Sequence, residues 1–111
     1  GVDCPGVLFV LSPEGRAKAS TYLSRLTSDC HLFVAPEWAD IESPVRPVVL
    51  EPAWFEGVSR GSLTLAQVAA GLGSLGCLSE GAWLDAAARI SPKYAASNRR
   101  AVQVGLRAAR I

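Results

Sequence analysis

Cys30 and His31 are adjacent, and a thiol beside an imidazole is a nucleophile with its base. Neighbours on an extended strand project to opposite faces, so this pair cannot hydrogen-bond side chain to side chain. His31 is the only histidine, so a cysteine hydrolase would have to bring Cys4 or Cys77 to it from another segment. That arrangement is the enzyme alternative, and its mark would be a thiol within hydrogen-bond reach of His31. Cys4, Cys30, His31 and Cys77 also have spacings unlike any zinc module. Neither a GxSxG nor a Walker A sequence occurs. Glu37, Asp40 and Glu42 fall in a polar segment, where solvated charge is the ordinary explanation. The sequence therefore assigns no catalytic residue, no metal ligand and no cofactor.

Gly71-Leu-Gly73-Ser-Leu-Gly76 matches GxGxxG. In a dinucleotide site those glycines follow a strand and open a helix beneath the pyrophosphate. Here Thr64 to Ala70 have helical period, and no acidic residue follows Asp85. The expectation is a turn after a helix that contacts no nucleotide.

Charge gives the strongest functional hint. Residues 1–85 hold ten acidic and five basic side chains. Residues 86–111 hold Arg89, Lys93, Arg99, Arg100, Arg107 and Arg110, and no acid. On a helix, Arg99, Arg100, Gln103, Arg107 and Arg110 fall within an arc of about 100°. Val102, Leu106 and Ala109 lie beside that arc, where they can pack. Guanidinium groups so placed suit phosphates, by charge and by bidentate hydrogen bonds. The expected binding residues are thus Lys93, Arg99, Arg100, Gln103, Arg107 and Arg110, facing nucleic acid or an acidic protein surface. The same split would suit self-assembly, the acidic body of one copy taking the basic helix of another. No aromatic residue follows Tyr94, which argues against stacking on single-stranded bases.

A second anion pocket is expected where Ser12, Gly15 and Arg16 open a helix, beside the ordinary role of Ser12 as a cap. Further on, Val48-Val49, Trp54, Ser59, Gly61 and Leu63 loosely resemble the closing segment of BRCT domains, modules that bind phosphopeptides and DNA ends. The resemblance implies recognition of phosphate. The spacing from Trp54 to Ser59 and Gly61 departs from that pattern. The Ser/Thr-Gly pair is interrupted as Ser12-Pro13-Glu14-Gly15, and the chain continues well past the point where that fold ends.

The elements that must position these residues follow from pattern. Val7 to Leu11 is an apolar run suited to a strand buried on both faces. Ser12-Pro13-Glu14 starts a helix to about Leu26, with Ala19, Tyr22, Leu23 and Leu26 on one stripe. His31 to Ala35 is a second strand, completing a βαβ unit, and Pro47 to Leu50 a third, after a surface loop over 36–46. Pro52 to Phe55 opens a helical turn ending near Gly61. Thr64-x-x-Gln67 reads as a capping box for a helix with Leu65, Val68, Ala69 and Leu72 on its apolar face. Ser79-Glu80 caps the next helix, with Trp83, Ala87 and Ile90 on one side, and Ser91-Pro92 starts the last. The fold class is α/β: a small three-stranded, mostly parallel sheet with a βαβ unit, then a helical C-terminal half. The chain reads as one domain, residues 1–61 forming the α/β part and 62–111 the helical part.

Composition bounds the rest. The 111 residues are 50% apolar and 19% charged, with net charge +1, as in a folded domain. Such a chain buries enough surface to fold without metal or disulfide. Its longest apolar run is far below the ~20 residues that span a bilayer, and no signal peptide is visible, so no membrane partner is expected. Three cysteines without a CxxC pair imply a reducing, intracellular compartment. Gly1 and the lack of Met imply a segment of a longer polypeptide. The excess of Arg over Lys fits a GC-rich coding sequence, of viruses among others. These observations converge on a non-enzymatic interaction or regulatory domain of a larger protein.

Overall fold

The computed structural model describes residues 6–76, 79–90 and 92–109. Cys4, Cys77, Ser91 and Arg110 lie outside the described residues, as do the side chains of Ala87 and Ile90. The chain forms two compact units, Gly1–Glu51 and Pro52–Ile111.

The first unit is a three-stranded parallel sheet in the order β1 (Val7–Val10), β2 (His31–Val34), β3 (Val48–Val49). Val7 stands opposite His31, Val10 opposite Val34, and Phe33 opposite Val48. Alternation sends Leu8, Val10, Leu32, Val34 and Val49 to one core, where Ala19 and Leu23 of helix α1 (Pro13–Leu23) meet them. Phe9 and Phe33 lie on the other face and stack with ring centroids 5.2 Å apart. Leu32, Phe33 and Val34 are all buried, as a central parallel strand requires.

Helix α1 starts as the sequence demands. The N–H of Gly15 donates to Ser12 Oγ at 3.0 Å, Pro13 opens the helix, and Glu14 faces its positive end. It stops at Leu23, short of the expected Leu26, where the N–H groups of Arg25 and Leu26 close tight turns onto Tyr22 and Leu23. Tyr22, expected on the packed stripe, is 57% exposed. Only Ala19 and Leu23, one turn apart, are buried on α1, so the stripe is too narrow to take Tyr22. The expected loop contains a 3-10 turn, Pro36–Trp38, and Trp38, Ile41 and Val45 pack under it onto the sheet core.

The helical unit begins at Pro52 rather than at residue 62. The 3-10 turns Pro52–Phe55 and Arg60–Ser62 pack against the last helix and so belong with it. Helices α2 (Leu63–Ser74), α3 (Glu80–Ile90) and α4 (Ala95–Ala108) follow, with a 3-10 turn, Pro92–Tyr94, before α4. Ser79 caps α3 as expected, accepting from the N–H of Ala82 at 3.2 Å. Trp83, Ala69, Val102 and Leu106 form the core between the three helices.

Two expectations about α2 are corrected. The Thr64-x-x-Gln67 capping box does not form: the helix already runs at Leu63, and Gln67 is buried. The residue before it, Ser62, instead gives its hydroxyl to Asn98 Oδ1 at 3.2 Å, tying the start of α2 to α4. Nor do three glycines make a turn. Gly71 and Gly73 are helical, and Gly76 alone takes the left-handed backbone, at φ +69°, beyond the helix end.

Gly73 and Gly105 serve close packing. A Cβ at Gly73 would stand 2.8 Å from Leu106 Cδ2. A Cβ at Gly105 would collide with the carbonyl oxygen of Ala66 and stand 2.9 Å from Ala69 Cβ. Ala66 and Ala69 are fully buried beneath it. Replacing Gly105 by Ala raises helix propensity by up to about 1 kcal/mol, but backbone on the other side cannot yield cheaply. We expect Gly105→Ala to destabilise by about 1–3 kcal/mol in urea denaturation. Gly81, on α3, has open space around its Cβ among the described residues, so Gly81→Ala should stabilise by up to about 1 kcal/mol. Equal effects at the two sites would show that packing does not decide the outcome.

A candidate nucleic-acid interface

Helix α4 is amphipathic by construction. Asn98, Ala101, Val102, Val104, Gly105, Leu106 and Ala108 are buried, more than half of its circumference. Arg99, Arg100, Gln103 and Arg107 share the remaining arc and are exposed. The structure thus brings four of the expected residues onto one face. Lys93 lies before the helix, with its ammonium 5.5 Å from the centre of the Tyr94 ring.

The charge of residues 86–111 is less bare than its count suggests. Arg89 pairs with Asp85 at 3.0 Å, one helical turn back on α3. That carboxylate lies just outside the segment counted, which is why the asymmetry overstated the available cations. Both groups are well exposed, so the pair contributes little to stability. Among the described residues, Arg99, Arg100 and Arg107 make no ion pair.

Two clefts meet at Arg100. One, of about 450 Å³, is lined by Ala53, Trp54 and Glu56 from one segment and by Arg100, Val104, Arg107 and Ala108 of α4. The second, of about 270 Å³, is lined by Gly57, Ser59, Ala96, Ser97 and Arg100. Gly57 has φ +82°, and its missing Cβ would lie 3.3 Å from Arg100 Nη2. Glycine here both permits the backbone turn and leaves room for the guanidinium. Nothing in the sequence links Trp54 to the arginine face, because it lies 46 positions before Arg100, on a turn that only tertiary packing brings to α4.

No family model, curated protein or solved structure matches this chain. Nothing therefore extends the resemblance of residues 48–63 to BRCT domains, and functional inference rests on the residues themselves.

The other candidates are in the sheet unit. Ser12 and Gly15 do come together, as the helix cap described above. Arg16 lines a shallow groove with Ser20, Glu42 and Ser43. Cys30 is a free thiol, with Sγ 3.4 Å from Thr27 Oγ1, and the His31 backbone is anchored by its N–H donating to Gly6 O at 2.8 Å. No group of three His, Cys, Asp or Glu side chains able to hold a metal ion occurs among the described residues.

Asp29, beside this pair, has a displaced titration. The Thr27 hydroxyl donates to it, its own backbone N–H helps, and His31 contributes charge, so its pKa is held below the ordinary carboxylate range. A depressed folded-state pKa means the contribution is present above the ordinary carboxylate range. It is lost as pH falls through the lowered value. Thr27→Val should move the Asp29 carboxyl titration, followed by NMR, upward towards that of an unperturbed aspartate. An unchanged titration would show that the Thr27 hydroxyl is not the cause.

Proposed function

We propose that this chain is a non-enzymatic interaction domain that binds nucleic acid through the arginine face of α4. The observation that carries the reading is the exposed arc of Arg99, Arg100, Gln103 and Arg107, which makes no ion pair among the described residues. A merely solvated face of this charge would normally be interleaved with carboxylates at one-turn spacing, as Arg89 is with Asp85. Arg99, Arg100 and Arg107 sit on a rigid helix whose other side is fixed by packing, so their spacing is set before a ligand arrives. Guanidinium forks held in this way match phosphate oxygens. No described helix is long and apolar enough to cross a membrane. Cys30 as a free thiol is compatible with a reducing compartment, which belongs to the same proposal.

Each phosphate neutralised releases condensed counterions, so affinity must fall steeply with salt. With about three phosphates engaged, log K against log salt should have a slope near −2 to −3 in filter binding. Changing Arg99, Arg100, Arg107 and Arg110 together to Gln should flatten that slope without lowering the thermal midpoint, since the described members are exposed. Loss of a dimer in the same variant, seen by sedimentation, would point instead to assembly through this face. Absence of binding at low salt, with an unchanged monomer, would leave α4 a plain solvated surface.

A further inference from the structure

Building on that reading, we infer that the clefts flanking Arg100 form a track for single-stranded nucleic acid, with one base stacked on Trp54. Three features point to a strand rather than a duplex. The larger cleft is lined by an indole and two guanidinium-bearing side chains together with apolar Ala53, Val104 and Ala108, and its volume of about 450 Å³ is in the range of small-ligand sites. Unstacked bases present a π-face to an aromatic side chain, whereas paired bases within a duplex do not. The cleft is also polar in one direction. Glu56 stands with Trp54 and repels phosphate, while Arg100 and Arg107 attract it. A nucleotide therefore has one favoured orientation: base towards Trp54 and Glu56, phosphate towards α4.

The arginines fix the path of the backbone. Arg100 and Arg107 are seven residues apart, two turns on one face, with a rise of about 10 Å between them. Val104, between them in the chain, lines the same cleft, so both arginines border the space for one bound unit. Arg100 also walls the smaller cleft, where Ser59 and Ser97 offer hydroxyls to a sugar or a second phosphate. The phosphate joining two units falls at Arg100. A peptide of acidic residues alone would meet the same cations, but it offers no aromatic ring to stack on Trp54.

The test is fluorescence anisotropy with a labelled short oligothymidylate and a labelled duplex of equal length, at low salt. Trp54→Ala should lose about 5- to 150-fold in affinity for the oligothymidylate, the range of one base stacked on one aromatic residue. Trp54→Phe, which keeps a ring, should retain most of the wild-type affinity, and duplex affinity should change little in either variant. Arg100→Gln should weaken both ligands. Circular dichroism checks the fold. Should Trp54→Ala unfold, quenching of tryptophan emission by the oligothymidylate must be larger in the wild type than in Trp54→Phe. Equal quenching overturns the inference. So does an unaltered oligothymidylate affinity in folded Trp54→Ala, or an equal loss for strand and duplex. In those cases a preserved salt dependence would leave the broader nucleic-acid reading standing. Displacement of the oligothymidylate by oligoglutamate at matched charge would assign the cleft to an acidic peptide. Absence of all binding would remove both readings.

Discussion

The close approach of α2 and α4 at Gly105 is the constraint on which the helical unit depends. Alanine and glycine lose no side-chain rotamer entropy when buried, but they also remove little apolar area from water. Stability at this contact must come from intimate van der Waals fit rather than from large side chains. The bulkier core of Trp83, Val102 and Leu106 then closes over it. Because α4 is gripped on its small-residue side, its opposite side is presented at a fixed angle. The arginine face is therefore a consequence of where glycine and alanine lie on the helices behind it.

Local signals were legible where one short segment carries the whole instruction. The apolar runs gave β1 and β2, and Ser12-Pro13-Glu14 and Ser79 gave correct helix starts. Errors arose where a residue has a long-range partner. Thr64 and Gln67 have the spacing of a capping box, but Ser62 bonds Asn98 and the helix has already begun. Gly71 and Gly73 look like helix breakers, yet both are helical, and Gly73 is a spacer against Leu106 of the helix it presses on. Tyr22 has the right period for burial, but the sheet beneath α1 receives only two of its residues.

The candidate site divides in the same way. The arc of Arg99, Arg100, Gln103 and Arg107 is a property of one helix and could be computed from spacing alone. Trp54, Glu56 and Gly57 are distant in sequence from the arginines, so nothing local links them to α4. Counting charge by segment also misled, since Arg89 takes its counter-ion from the residue just before the boundary. Tertiary contact thus turned a charge tally into a cleft with two chemically distinct walls.

Arg100 is a wall common to two clefts, and its guanidinium rests against a glycine rather than a side chain. Were an occupant of one cleft to shift that group, it would reshape a wall of the other, and the two occupancies would be linked. Such linkage would be reciprocal: the factor by which the first occupant alters the second must equal the factor by which the second alters the first.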